Sequence, residues 1–194
     1  IRQAGRINTA VLDAVAHCIR PGLSTADIDR VVWECTFDHR AIPACLGYEG
    51  FPRSCCTSIN DVVCHGIPCE EEVLREGDII NVDVTTIKDG YFADASRMFV
   101  IGNIPPRWQQ VVDCARECLE IGARAARPHG HVGDIGHAIE RHARGYGFSV
   151  VRDLAGHGTG LRFHEAPDVN HYGRTGTGAE LLPGMVFTIE PMIN

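Results

Sequence analysis

Apolar side chains recur at helical spacing near the start of the chain and again after its midpoint. The first stretch ends at Pro21 and Gly22, and Ser24 or Thr25 then caps a new helix that has Asp27 in its first turn. The pattern predicts four helices, over residues 7–19, from 24 or 25 onward, over about 108–126 and over about 133–145.

Residues 78–100 predict one β-hairpin, with its turn at Lys88, Asp89 and Gly90. Residues 41–64 place β-branched patches between glycines and prolines, which is typical of loops and short strands. Further short strands are predicted near 148–151, 160–165 and 185–193.

Several sequence features repeat 107 positions apart, which divides the chain into halves of about 1–104 and 105–194. The repeated features are Arg20-Pro21 with Arg127-Pro128, Asp27-Ile28 with Asp134-Ile135, Gly77 with Gly184, and residues 79–83 with 186–190. Chance similarity between amphipathic segments is one explanation. A duplicated α/β half-domain is the other, and a pseudo-twofold would then bring Asp83 and Glu190 together at an interface of the kind that binding sites favour.

Composition and charge narrow the class of protein. A chain of 194 residues with 44% hydrophobic and 22% charged residues suits one globular domain. The net charge of -7 argues against a nucleic-acid partner, which usually needs a basic face. Nine cysteines without C-x-x-C spacing favour reduced thiols in a cytosol. No stretch approaches the ~20 apolar residues of a membrane span.

Asp83 interrupts an apolar run on the first arm of the hairpin. A buried carboxylate in such a place is neutralised, paired or bound to a metal, because an unpaired buried charge is strongly unfavourable. Asp94 lies on the opposite arm, and directly opposed residues have Cβ atoms roughly 4.5–5.5 Å apart. Two carboxylates that close repel unless a cation lies between them. The hairpin is therefore predicted to supply half of a metal site.

The second half contains further residue types that bind metals. His157 lies between glycines, where backbone can approach a ligand closely, and Glu190 interrupts an apolar strand. Taken singly, each residue has an equally good structural explanation. Two Asp, one Glu and one His together suit Mn, Fe, Co or Zn used in pairs, rather than a structural zinc. Two metals about 3.5–4 Å apart are a device of hydrolases.

Six motifs stand out: His65-Gly66-Ile67-Pro68, Asn81-Val82-Asp83-Val84-Thr85, Asp94-Ala95-Ser96, Gly156-His157-Gly158, Phe163-His164-Glu165 and Phe187-Thr188-Ile189-Glu190-Pro191-Met192. With these motifs, in this order and spacing, the chain resembles type I methionine aminopeptidase over essentially its whole length. The resemblance implies an α+β pita-bread fold, with two pseudo-twofold-related α/β halves around a central antiparallel sheet. It also implies one catalytic domain over 1–194.

The resemblance implies two divalent metal ions, which would be Co, Mn, Fe or Zn. Asp83 would bind one metal through both oxygens, and Asp94 would bridge the two. His157 would complete one site, and Glu190 would ligate the other or help to bridge. A metal-bridging hydroxide would attack the methionine carbonyl, because the cations lower the pKa of water. The implied enzyme is a cytoplasmic aminopeptidase that removes initiator methionine from nascent proteins.

The resemblance also implies two catalytic histidines and a methionine pocket. His164 would donate a hydrogen bond to the oxyanion of the tetrahedral intermediate. His65 would hydrogen-bond the scissile amide region and position the substrate. Sulfur and aromatic edges suit a thioether side chain, although ordinary core residues are the alternative. Besides the two histidines, the substrate-binding residues would be Cys45, Tyr48, Phe51, Cys56 and Phe163.

Two other functions stay open on these residues. A pita-bread peptidase that cleaves Xaa-Pro bonds, or a creatine-type hydrolase, would share the metal ligands. Neither would explain the predicted pocket of Cys45, Tyr48 and Cys56. A binding module that has lost catalysis would normally lose metal ligands, and this chain keeps them.

The family's last strand carries a second bridging Glu beyond Glu190, whereas this sequence runs from Ile1 to Asn194. We therefore expect a domain without its N-terminal start and its C-terminal last strands, which binds the second metal weakly. We expect a monomer that acts on N-terminal Met peptides and associates with the ribosome. We expect neither membrane contact nor direct nucleic-acid binding.

Overall fold

A computed structural model describes all residues 1–194, in two compact units. The first unit comprises residues 1–105 and 160–163, and the second comprises residues 106–159 and 164–194. The helices are α1 (Arg2–Cys18), α2 (Thr25–Asp38), α3 (Pro106–Ala125) and α4 (Val132–Gly145). The strands are β1 (Ile42–Pro43), β2 (Cys56–Ile59), β3 (Ile79–Lys88), β4 (Tyr91–Val100), β5 (Gly156–Gly158) and β6 (Glu165–Val169).

The predicted hairpin is confirmed as β3 and β4, which pair in register along their whole length. Asp89 and Gly90 both have positive φ, at 51° and 82°, which is the backbone of a two-residue hairpin turn whose twist matches the strands. Strands β1 and β2 pair with β3 to complete a four-stranded antiparallel sheet. The apolar faces of α1 and α2 pack with β3 in one core, which includes Val11, Ile28 and Val82.

The second unit has a helical core and less regular strands. Buried residues of α3 and α4, including Cys118, Ile135 and Ile139, form its core. The predicted strand over 160–165 is wrong, because the strand pair is β5 with β6 instead. The predicted strands near 148–151 and 185–193 are also wrong. They form only isolated bridges, at Val150 with Ile193 and at Phe187 with Gly158. Pro191 has no N–H to offer a ladder there.

Equivalent backbone contacts recur in the two units at the predicted offset of 107. The bridge between Ser24 and Val73 corresponds to the bridge between His131 and Glu180. The hydrogen bond from Gly22 N to Leu74 O, of 2.8 Å, corresponds to the one from His129 N to Leu181 O, also of 2.8 Å. Gly77 and Gly184 share left-handed backbone, with φ of 95° and 96°. Matching local backbone contacts therefore accompany the sequence repeat.

The helices also have a property that bears on membrane association. None of them combines the length and the apolar character needed to cross a membrane.

Candidate active-site residues in the two units

The two hairpin carboxylates lie on one face of the sheet but are not directly opposed. Asp83 pairs with Ser96, and Asp94 pairs with Thr85, so the two aspartates are diagonal neighbours. Diagonal pairs are roughly 7–8 Å apart at Cα, which is wider than the directly opposed pair expected from sequence. Cations can still bind between two carboxylates at this separation. Without a metal, the electrostatic repulsion between the two carboxylates is smaller than it would be for a directly opposed pair.

Thr85 supports the second carboxylate of the hairpin. Its side chain is almost fully buried, and its hydroxyl donates a 2.8 Å hydrogen bond to Asp94 Oδ1. A hydroxyl that donates to one carboxylate oxygen limits rotation of that carboxylate. The donor comes from the residue directly across the ladder, so the strand pairing itself sets this contact.

His65 is exposed and has left-handed backbone, with φ of 56°. The next residue, Gly66, explains how this loop is held. Gly66 O accepts a 2.9 Å hydrogen bond from Thr57 N, and a Cβ on Gly66 would lie 1.9 Å from Thr57 O. Only glycine allows so close an approach to β2, so the loop presents His65 from a fixed backbone position.

The predicted pocket residues of the first unit include a group of aromatic rings. The rings of Tyr48 and Phe163 lie 4.7 Å apart at their centroids, and Phe92 stacks on Phe163 at 6.0 Å. Phe51 is half-buried, and its backbone hydrogen bonds close the turn around Tyr48. Such ring clusters bury a large apolar surface and leave edges for a further apolar side chain.

Two buried thiols accompany these rings. Cys45 and Cys56 are 6% and 7% exposed, and their thiols hydrogen-bond to each other. This hydrogen bond, together with burial, raises the pKa of Cys56 far above its ordinary range. The Cys56 thiol is therefore uncharged in neutral solution, whereas the same hydrogen bond lowers the pKa of Cys45. Soft sulfur atoms suit contact with an apolar thioether. The structure brings together Cys45 with Cys56, and Tyr48 with Phe163, which all belong to the predicted pocket.

Glycines on β5 allow backbone segments of the second unit to approach closely. A Cβ on Gly156 would lie 2.5 Å from Thr188 O, and a Cβ on Gly158 would lie 2.2 Å from Ala166 O. These are backbone atoms, so no side-chain movement could make room. Gly156 therefore lets the strand that carries His157 lie directly beside the segment that carries Glu190, and Gly158 lets it lie close to β6.

Thr188 connects the two predicted ligands of the second unit. Its hydroxyl accepts a 2.9 Å hydrogen bond from the backbone N–H of His157 and donates to Glu190 Oε1. The backbone N–H of Thr188 also donates to His157 O, at 2.8 Å. One threonine thereby holds the backbone of His157 and the carboxylate of Glu190.

The arrangement of His157 suits a metal ligand. Its Nδ1 lies 3.0 Å from Gly158 O, and a carbonyl can only accept, so Nδ1 carries the proton. Nε2 is then the nitrogen with the lone pair, and it lies 3.6 Å from Glu190 Oε1. Zinc–nitrogen and zinc–oxygen bonds are each about 2.0–2.2 Å, so a single cation fits between two such atoms. This half of the donor set therefore fits a divalent metal.

Two further histidines surround this pair. The His164 ring is exposed and lies edge-on to His157, with centroids 4.2 Å apart. His171 is fully buried, and its Nε2 accepts a 3.0 Å hydrogen bond from the backbone N–H of Glu190. Burial lowers the pKa of His171 to about 4. His171 is therefore neutral and structural in position, whereas His164 faces solvent beside the donors.

Sequence reasoning missed four residues that contact the predicted set. Phe92 and Thr85 lie two positions from Asp94 and Asp83 on strands, and Thr188 lies two positions from Glu190. The period of two along a strand could have identified Phe92 and Thr85, because alternate side chains share a face, whereas Thr188 lies outside the strands of the structure. His171 lies 19 positions from Glu190 and had no such signal.

Comparison with known proteins gives consistent matches over the whole chain. The profile of metallopeptidase family M24 matches residues 1–194. A relative from Synechocystis sp., methionine aminopeptidase A, is 53% identical over 194 residues, which are all of this chain and 77% of that protein. The methionine aminopeptidase of Escherichia coli (strain K12) is 44% identical over 195 residues, covering all of this chain and 74% of that protein.

Solved structures give the same picture. Methionine aminopeptidase from Rickettsia prowazekii superposes with a TM-score of 0.97 and 44% identity, and the match covers all of this chain and 77% of that one. A prolidase from Pyrococcus furiosus matches with a TM-score of 0.81 over 98% of this chain and 54% of that one. Its identity is only 21%, so this second likeness shows a shared fold alone.

Proposed function

The chain belongs to metallopeptidase family M24, and we infer that it is a methionine aminopeptidase, a hydrolase that removes the N-terminal methionine of a protein chain. The relatives that share 43–53% of its residues carry that name, whereas the prolidase likeness is at 21%. The resemblance seen in the sequence is thereby confirmed, as is the α+β pita-bread fold. The alternative of an Xaa-Pro peptidase has no specific observation in its favour.

We propose that Asp83, Asp94, His157 and Glu190 bind two divalent cations. The single observation that carries this proposal is the distance of 3.6 Å between His157 Nε2 and Glu190 Oε1, two residues that Thr188 joins through the His157 backbone N–H and the Glu190 carboxylate. The diagonal aspartates of the hairpin supply carboxylate oxygens from a second element. Carboxylate-rich sets with one imidazole suit Mn, Fe, Co or Zn. When bound, such cations polarise a carbonyl and lower the pKa of water.

We propose that the protein's own residues bind and orient the substrate around that centre. His164 is exposed beside His157, where its imidazole would donate a hydrogen bond to the carbonyl oxygen as negative charge develops. His65 would hydrogen-bond the scissile amide and hold it in line. Cys45, Cys56 and the rings of Tyr48 and Phe163 would surround the methionine side chain, with Phe51 at the edge.

The finer biological setting is part of the same proposal. The substrates would be nascent chains with N-terminal Met, the enzyme would act in the cytoplasm as a monomer, and it would associate with the ribosome. All nine cysteines are free thiols, which supports a reducing compartment.

The test compares Met-Ala-Ser with Leu-Ala-Ser, which differs only in the first residue, and with Ala-Pro-Ser, which is an Xaa-Pro substrate. The purified protein should release the first residue from Met-Ala-Ser in Mn²⁺ or Co²⁺, and should leave Leu-Ala-Ser and Ala-Pro-Ser largely intact. A chelator should abolish release and added metal should restore it. Cleavage of Ala-Pro-Ser in preference to Met-Ala-Ser would replace this function by that of an Xaa-Pro peptidase.

A further inference from the structure

His171 lies outside the predicted site residues yet makes its one identified polar contact with a predicted ligand. The residue is 0% exposed, and its Nε2 lies 3.0 Å from Glu190 N. Because a backbone N–H can only donate, Nε2 is the unprotonated nitrogen and the proton is on Nδ1.

The other ring nitrogen argues against a role in packing alone. Nδ1 is buried and has no hydrogen-bond partner. A buried donor without a partner is unfavourable, and an apolar side chain of similar size would fill the same space without it. The hydrogen bond that Nε2 accepts from the Glu190 N–H therefore accounts for an imidazole at this position.

The backbone around Glu190 is held by separate hydrogen bonds rather than by a continuous strand ladder, among them Thr188 N to His157 O and Val151 N to Met192 O. Residues 185–193 form only isolated bridges, and Pro191 follows directly. The N–H of Glu190 points instead to His171, while Thr188 holds its carboxylate. Glu190 is thus fixed at both ends, by one side chain at its backbone and by another at its carboxylate.

We propose that His171 is a positioning residue, which fixes the backbone of Glu190 and so aims its carboxylate at the metal. This inference rests on the proposed function of Glu190 as a ligand. Groups that orient metal ligands are worth about 10–100-fold in metal affinity when they are removed. His171 has no contact with the metal or the substrate in this proposal.

The test measures Mn²⁺ affinity by calorimetry in the purified protein and in three variants. His171→Leu removes the acceptor and should weaken binding by about 10–100-fold. His171→Gln places an amide oxygen near the position of Nε2 and should restore most of the affinity. Glu190→Gln removes the ligand charge and should weaken binding more than either. Ile135→Val, a change in the same core, should leave Mn²⁺ affinity unaltered while lowering the thermal midpoint slightly.

A double variant separates positioning from general destabilisation. If His171 acts through Glu190, His171→Leu should have little further effect in a Glu190→Gln background, because coupled residues are non-additive. Equal effects of His171→Leu in both backgrounds, or no rescue by His171→Gln, would overturn the proposal. Should His171→Leu fail to fold, His171→Asn, whose shorter amide does not reach the Glu190 N–H, takes its place in both backgrounds. If Glu190→Gln itself leaves Mn²⁺ affinity unchanged, the metal site rather than the role of His171 is wrong.

Discussion

The two units hold their predicted ligands in different ways. In the first unit, Asp83 and Asp94 stand on a hairpin of ten residues per strand that pairs without interruption. In the second, His157 lies on a strand of three residues beside a register shift, and Glu190 lies outside any named strand.

In the second unit, side-chain contacts therefore position the predicted ligands more than strand pairing does. Each hairpin aspartate is placed by many ladder hydrogen bonds, so losing one side-chain contact changes little. His157 and Glu190 instead depend on Thr188, on His171 and on two glycines that admit close backbone contact. Residues that contact the predicted ligands should therefore affect metal affinity more in the second unit than in the first.

Removing one ligand charge from either unit should have the largest effect. Asp94→Asn and Glu190→Gln keep the side-chain shape but lose a charged donor. Because metal ions contribute several kcal/mol of charge stabilisation, kcat/KM for Met-Ala-Ser should fall by about 10³-fold in both. Asp89→Asn, at the exposed hairpin turn, is the matched control and should leave activity unchanged. If kcat/KM falls by less than tenfold in either ligand variant, that residue is not part of the site.

His164→Gln should give the next largest effect, and through a different parameter. Loss of a donor to the developing oxyanion lowers kcat by about 10²–10³-fold. KM and bound metal should change little, because His164 is not proposed as a ligand. Steady-state kinetics with metal analysis checks both. Metal loss in this variant would make His164 a ligand, and a rise in KM alone would make it a binding residue.

Thr85→Val and Thr188→Val test the comparison between units directly, since both replace a hydroxyl by a methyl group. Thr188→Val breaks contacts to both His157 and Glu190, and it should weaken Mn²⁺ binding by about 10–100-fold. Thr85→Val breaks one contact to Asp94, which the ladder still places, and should cost less than about tenfold. Calorimetric titration of each variant measures the difference. Equal losses would show that the hairpin ladder does not by itself place Asp94.

The smallest effect concerns a helix start rather than the site. Ser24 caps α2 and shares a reciprocal hydrogen-bond pair with Asp27, so Ser24→Ala should cost about 1 kcal/mol of unfolding free energy. Amide exchange should quicken in the first turn of α2 and stay unchanged in the first turn of α4, where Asp134 accepts from His131 N–H instead. Urea unfolding and exchange measure the two quantities. Equal acceleration in both helices would contradict a local role.

The same cap has a pH dependence with a defined sign. The Ser24 hydroxyl, and after it the Ser24 backbone N–H, hold the pKa of Asp27 below its ordinary value. The unfolded chain therefore binds this proton first as pH falls, so the contribution is present above about pH 4 and is lost as pH drops through the lowered pKa. The stability difference between wild type and Ser24→Ala should accordingly shrink in acid. If this stability difference stays constant down to pH 2, the Ser24 hydroxyl alone stabilises the helix start, without the Asp27 carboxylate.

Much of the fold could be predicted because its signals are local and periodic. Helical spacing identified α1 and α4 to within a few residues, and alternation with an Asp89-Gly90 turn identified the hairpin. The strands of the second unit were misplaced because isolated bridges have no periodic pattern to read. For the same reason the exact pairing of Asp83 with Ser96 was not foreseen, since register depends on the turn geometry.

By itself, the sequence determined which chemical groups are present, their order, and the repeat at an offset of 107, at which the structure has matching bridges. Ligand types, glycine positions and turn residues are properties of short segments, so they can be read without coordinates. Only the tertiary structure decided which other residues contact those groups and hold them in position. The contact of Thr188 with His157 spans 31 positions, and that of His171 with Glu190 spans 19. Such pairs arise from how separate segments pack, and no local pattern encodes them.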